Sequence, residues 1–132
     1  MKLHDAIKAA TQPKPKCVKV PDDVLKQIVN GDDTAPEWLH APMFARTLSV
    51  GDGIVLGGIA PKDANDRDGF LRTFAHMFVE SDNTTVFDLT NAEDARLARE
   101  YVPLALARWF VNTAMEHNGL AAPAAGTESP KA

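Results

Sequence analysis

The glycines that follow residue 50 are the first group whose spacing could do chemistry. Gly51, Gly53 and Gly57 give the pattern GxGxxxG, which is close to the fingerprint of a dinucleotide-binding turn. That fingerprint needs a helix whose N-terminus holds the pyrophosphate, and then a second parallel strand. Pro61 comes too soon for such a helix, and no apolar parallel strand follows it. The glycines therefore predict a turn and no nucleotide cofactor.

Two groups of residues have side chains that could bind a metal ion. The acidic segment 63–69 is similar to a calcium loop, but aligning its glycine at the sixth position puts alanines where both end ligands belong. His76 and Glu80 lie four residues apart on a predicted helix, without a third ligand nearby in the sequence. We therefore expect no metal ion, a solvated His76–Glu80 pair, and a helix capped by Asp63 or Asn65.

Nucleophilic catalysis needs a serine or cysteine beside a base, and no local motif supplies that pair. Cys17 is the one cysteine of the chain and lies in an apolar run typical of a strand. A single cysteine forms neither an internal disulfide nor a thiolate metal site. The sequence thus predicts a protein that is not an enzyme. An active site assembled from distant parts of the chain is the remaining enzymatic alternative.

The composition of the 132 residues is that of an ordinary globular domain, with 45% hydrophobic and 24% charged residues. Fourteen basic residues against eighteen acidic ones give a formal charge of −4, which argues against a nucleic-acid partner. No apolar run approaches the ~20 residues that cross a bilayer. The first residues also lack the apolar region of a signal peptide. We expect a soluble cytoplasmic protein with no membrane contact.

Apolar periodicity predicts one α+β domain over residues 1–120, mostly helical, with a small antiparallel sheet or hairpin. Helices are expected over 3–10, 21–29, 65–80, 90–102 and 104–117, and strands over 17–20 and 43–50, with a short strand or extended turn at 84–87. The segment 51–58 fits either a hairpin or a loose helix, and its Asp-Gly pair favours the hairpin. Residues 121–132 lack apolar periodicity and predict a flexible tail or linker.

Two of these helices have recognisable ends. The fourth helix is expected to begin with a capping box formed by Thr90 and Glu93, and to carry an ion pair between Arg96 and Glu100. Gly119 is expected to end the final helix.

The final helix is the candidate protein-binding element, because only a narrow stripe of its surface is polar. Such a helix is either central in the core or covered by a partner or a second copy. Alanines on the preceding helix permit close approach of another helix, and large aromatic residues are typical interface anchors. The residues predicted to bind protein are Leu106, Trp109, Phe110, Ala95 and Ala98. The alternative is that the final helix is simply the central helix of the core.

Several short segments within residues 1–120 match the pattern of one protein family. They are 3–10 followed by 16–21, Pro36-Glu37-Trp38 followed by a strand with Phe44, Arg46 and Leu48, 82–88 ending near Phe87, and Asn118-Gly119-Leu120 after the last helix. In these segments the chain resembles the tail assembly chaperones of long-tailed, non-contractile bacteriophages. It departs from them at residues 22–35, which resemble an insertion, and in its glycine-rich segment, which is usually a polar helix.

The resemblance implies a non-enzymatic function in the host cytoplasm. Members of this family bind the aggregation-prone tape measure protein during tail assembly, help to recruit tail tube subunits, and are absent from the mature virion. The resemblance also implies a longer product made by ribosomal frameshifting, to which residues 121–132 would be a linker. The alternative is a small adaptor or regulatory protein-binding module of a bacterium or prophage, without chaperone activity.

Overall fold

The computed structural model describes residues 2–10, 13–29 and 36–120. Over these residues the chain forms six α helices, three short strands and one 3-10 helix, which is the predicted α+β architecture. In chain order they are α1 (Leu3–Ala9), β1 (Lys16–Val18), α2 (Asp22–Ile28), the 3-10 helix (Glu37–His40), β2 (Met43–Ala45), α3 (Val50–Ile59), α4 (Arg67–Met77), β3 (Phe78–Val79), α5 (Ala92–Tyr101) and α6 (Leu104–His117). The predicted tail, 121–132, lies outside the described residues.

The three strands form one antiparallel sheet in the order β1-β2-β3. Val18 pairs with Met43, and Phe44 pairs with Val79. The strand predicted over 43–50 ends at residue 45, because the following residues lead into α3. The predicted extended segment 84–87 contributes a single bridge, between Thr85 and Val79.

The core is built around α6, which packs against α4 and α2. Phe70, Phe74 and Phe110 are fully buried. The rings of Phe74 and Phe78 stack at 4.9 Å, and each meets the ring of Phe110 edge-on at 5.3 Å. Offset stacking and edge contacts are the arrangements that aromatic quadrupoles favour. The final helix is therefore the central helix of the core.

The hairpin predicted over 51–58 is wrong, since this segment belongs to α3. A capping box starts the helix: Ser49 Oγ accepts from the Asp52 amide at 3.1 Å, and Asp52 Oδ2 accepts from the Ser49 amide at 3.0 Å. These two bonds satisfy groups that a helix terminus otherwise leaves unpaired. The Ser-x-x-Asp spacing was present in the sequence and outweighs the turn preference of Asp-Gly.

The ends of the later helices agree with the prediction in part. The cap of α5 is Asn91, whose side chain accepts from the Asp94 amide, and not the predicted Thr90. The cap of α4 is Asp66, and neither Asp63 nor Asn65. The predicted ion pair between Arg96 and Glu100 is confirmed at 3.1 Å.

The end of α6 at Gly119 is confirmed and has a clear cause. Gly119 adopts a positive φ of 74°, a conformation that costs glycine little. The amide of Leu120 bonds to the Met115 carbonyl, and the amide of Gly119 bonds to the Glu116 carbonyl. This pair of bonds is the Schellman motif, which satisfies carbonyl groups at a helix C-terminus.

Candidate functional site

Most of the residues predicted to bind protein lie inside the core. Leu106 and Phe110 are 0% exposed, and Ala98 and Ala95 are 1% and 7% exposed. Trp109 is partly buried against the core, with its ring 6.2 Å from that of Phe110. A partner on the surface would touch only Trp109 among these five, because the chain itself encloses the other four. Four of the five predicted contacts are therefore closed to a partner, which leaves Trp109 and other surfaces of the molecule as candidates.

The strongest candidate site is an apolar groove of about 370 Å³ between the 3-10 helix, the sheet and the C-terminal end of α5. Its lining, which defines the apolar groove hereafter, is Trp38, Ala41, Pro42, Met43, Phe44, Phe78, Val79, Glu80, Val86, Phe87, Leu97, Tyr101 and Val102. Only Glu80 in this set carries a charge at neutral pH. The groove was not predicted, because its lining comes from segments far apart in the sequence.

The lining of the groove includes residues of β2 and β3 that also belong to the core. Met43 and Ala45 are buried, whereas Phe44 between them is half-buried, since successive strand residues point to opposite faces. Phe78 and Phe87 stack with their ring centres 6.2 Å apart. The groove therefore has an aromatic wall that is continuous with the core cluster.

The outer lining of the groove remains open to a partner. Trp38 is 38% exposed and Tyr101 is 63% exposed, although both are large aromatic residues. Aromatic side chains with an apolar body and one polar atom are common anchors at protein interfaces. These two residues are the accessible anchors of the groove.

One acidic side chain lines the groove, and three more belong to the elements beside it. Glu80 is part of the lining, and among the described residues it forms no ion pair. Glu93 and Glu100 on α5 are held by Arg96, with oxygen-to-nitrogen distances of 2.9 and 3.1 Å. Glu37 directly precedes Trp38. Glu80 thus favours a partner that carries a basic residue beside its apolar ones.

A Ser–Asp–His cluster lies at the junction of α3 and α4, but its order is wrong for nucleophilic catalysis. Asp52 stands in the middle, with Oδ2 3.0 Å from Ser49 Oγ and Oδ1 3.0 Å from His76 Nε2. In a catalytic triad the histidine stands between the serine and the carboxylate, so that it can take the serine proton. Here the carboxylate occupies that place. The cluster fastens α3 to α4.

Electrostatics in this cluster favour the ionised form of Asp52. Partial burial alone would raise the pKa of its carboxyl group. The hydrogen bonds from Ser49, the positive charge of Arg46 and the hydrogen bond with His76 act in the opposite direction, and together they hold the pKa below its ordinary value. The carboxylate is therefore charged at neutral pH.

The predicted solvated pair of His76 and Glu80 does not form. The helix ends at Met77, so Glu80 no longer shares a helical face with His76, which contacts Asp52 instead.

Within residues 2–10, 13–29 and 36–120, no three His, Cys, Asp or Glu side chains come together in a way that could hold a metal ion. In the same ranges no helix is long and apolar enough to cross a bilayer.

Comparisons with protein-family models, curated proteins and solved structures gave no match to this chain. The fold brings separate segments of the sequence together at the apolar groove. Trp38 and Phe44, from the segment 36–48, and Phe87, from the segment 82–88, all line the apolar groove. Segments that are distant in the sequence thus meet at one surface.

Proposed function

We propose that this protein is a non-enzymatic tail assembly chaperone that binds an apolar helical segment of a tape measure protein in the apolar groove. The observation that carries the proposal is the open aromatic lining of that groove, to which Trp38, Phe44 and Phe87 contribute. The resemblance of the two segments that contain these residues to the chaperone family supports it. The client surface then differs from the one expected on α6.

A helical client suits the shape and chemistry of the groove. An amphipathic helix presents apolar side chains at positions i, i+3 or i+4 and i+7, and such anchors enter an apolar groove without leaving backbone groups unpaired. A volume of about 370 Å³ accommodates a few side chains and no folded domain. Contact with one short stretch of a long client is therefore the natural binding mode.

The expected affinity for one such segment is modest. Burying two large apolar side chains contributes roughly 3–6 kcal/mol, from which the cost of association must be subtracted. Weak contact at each segment lets the chaperone cover an exposed client and release it when the tail forms. Several copies along one long client would raise the total binding strength.

Under this proposal the protein acts in the host cytoplasm and leaves before the virion is mature. A frameshifted longer form would extend beyond residue 132 and recruit the tail tube protein. The proposal expects the gene to lie between a tail tube gene and a very long tape measure gene, with a slippery heptamer near its 3′ end. A gene in an unrelated bacterial operon would favour the adaptor alternative.

The test is co-expression with the tape measure protein encoded in the same gene cluster. We expect the wild-type chain to raise the soluble fraction of that protein and to co-purify with it. Tyr101→Asp should lose both effects while remaining folded, because this side chain is 63% exposed in the groove. The matched control is Ile54→Asp, at an apolar residue of α3 that is 74% exposed outside the groove.

Three outcomes would count against the proposal. They are a tape measure protein that stays equally soluble without the chain, a Tyr101→Asp variant that retains the client fully, and an Ile54→Asp variant that loses it to the same degree. Co-purification without any gain in client solubility would support the adaptor alternative.

A further inference from the structure

Charge is distributed very unevenly along this chain. Residues 1–19 carry five lysines and one acidic residue, whereas residues 20–132 carry nine basic and seventeen acidic residues. The formal charge of residues 1–19 is therefore +4, whereas that of residues 20–132 is −8. Such an asymmetry favours contact between the first segment of one molecule and an acidic surface of another.

Helix α1, within the basic segment, has an apolar side that the described residues of its own chain leave exposed. None of its residues is buried, and Leu3 and Ile7 are 75% and 66% exposed. These two residues lie four positions apart and so share one face of the helix. A helix of seven residues is too short to be stable in water on its own. It gains stability when its apolar side is buried against a surface.

We propose that α1 of one molecule docks in the apolar groove of a second copy, so that the free protein self-associates with its grooves occupied. No residue of α1 lines the groove of its own chain. The groove can cover the apolar side of α1, because the lining of the groove is apolar. The one charged residue of that lining is Glu80, a carboxylate that attracts a lysine. Lys8 in the helix and Lys2 at its N-cap supply the opposite charge through their long side chains.

Two copies related by a twofold axis can each donate α1 to the other, which closes the assembly as a dimer. A client helix would then compete with α1 for the groove. The inference uses the groove of the proposed function but requires no client. Self-association without client binding would support the inference and not the proposed function. Client binding without self-association would support the proposed function and not the inference.

The first test is sedimentation velocity of the full chain over a range of concentrations. We expect a concentration-dependent dimer that weakens at high salt, because its charges lie at the protein surface. The double variant Leu3→Asp/Ile7→Asp should be monomeric. The matched control Val50→Asp/Ile54→Asp, on exposed apolar residues of α3, should still form the dimer. A wild-type chain that is monomeric throughout, or a Leu3→Asp/Ile7→Asp variant that still dimerises, would overturn the inference.

The second test distinguishes docking between molecules from docking within one molecule. Tyr101→Lys places a positive charge in the groove and should also abolish the dimer. Mixing this variant, which has an intact α1, with Leu3→Asp/Ile7→Asp, which has an intact groove, should give a 1:1 complex. Circular dichroism should show both variants folded. If the mixture contains monomers only, while the wild type dimerises, α1 does not dock in the groove of a second copy.

Discussion

Oδ1 of Asp52 lies 3.0 Å from Nε2 of His76, and this contact joins the first turn of α3 to the last turn of α4. Both side chains are 21% exposed. Helix α3 needs such support, because four of its ten residues are glycines and glycine inside a helix costs about 0.5–1 kcal/mol relative to alanine. Of its side chains only Leu56 is buried. The capping box and the His76 contact therefore stabilise a helix of low intrinsic stability.

Replacing Asp52 with alanine should destabilise α3 selectively. Asp52→Ala removes the bond to the Ser49 amide and the contact with His76, and we expect a loss of about 1–2 kcal/mol in the free energy of unfolding. Urea denaturation measures this loss, and hydrogen exchange should show faster exchange in α3 than in α6. Glu116→Ala, at an exposed position of α6, is the control and should change neither.

The same carboxylate predicts a loss of stability in acid. The pKa of Asp52 is lower in the folded protein than its ordinary value of 3.8, so the unfolded chain takes up the proton first as the pH falls. The stabilisation by Asp52 is therefore complete above about pH 5. It disappears as the pH falls through 3.8 and then through the lower folded-state pKa. The difference in Tm between the wild type and Asp52→Asn should shrink over this range. A difference that is constant from pH 6 to pH 3 would contradict the assignment.

Two glycines should respond to alanine in opposite directions. A Cβ added at Gly57 meets no atom within 4 Å, so Gly57→Ala should stabilise the protein by about 0.5–1 kcal/mol. A Cβ added at Gly69 would lie 2.6 Å from the backbone of Pro61 and from the Asp66 carboxylate. Gly69→Ala should therefore lower the Tm. Thermal unfolding of the two variants side by side checks both signs.

The side chain of Asn118 fastens the end of α6 to the segment after β2. Its Oδ1 accepts from the Leu48 amide at 2.7 Å, and its Nδ2 donates to the Arg46 carbonyl at 3.0 Å. Asn118→Ala leaves two partly buried backbone groups without these partners and should cost about 2–3 kcal/mol. Asn118→Asp should also destabilise, because it keeps the acceptor and loses the donor. Chemical denaturation of both variants provides the measurement, and unchanged midpoints would show that these bonds contribute nothing.

Residue patterns within a short stretch of sequence were sufficient to predict an element such as α6. Helix α6 has the expected bounds, because Pro103 precedes it and Gly119 ends it. The hairpin prediction failed at 51–58, where a capping box and the Asp52–His76 contact stabilise a helix against its glycine content. The second of these contacts joins residues 24 positions apart, so periodicity could not reveal it.

The candidate site could not be predicted in the same way. A nearly apolar helix is found both in protein cores and at interfaces. The sequence alone does not show which other elements of the chain will pack against α6. The groove forms only when the 3-10 helix, the sheet, the segment around Phe87 and the end of α5 come together. Trp38 and Phe87 lie far apart in the sequence. Their shared location became apparent only in the folded chain.

The most direct test of groove binding is an NMR titration of the isotopically labelled chain with a helical segment of the tape measure protein from the same gene cluster. We expect the amide shifts that change most to lie at Trp38, Phe44, Phe87 and Tyr101, with saturation at one segment for each groove. A titration that leaves these four residues unchanged and perturbs the surface around Trp109 would contradict the proposal and favour the surface of the last two helices.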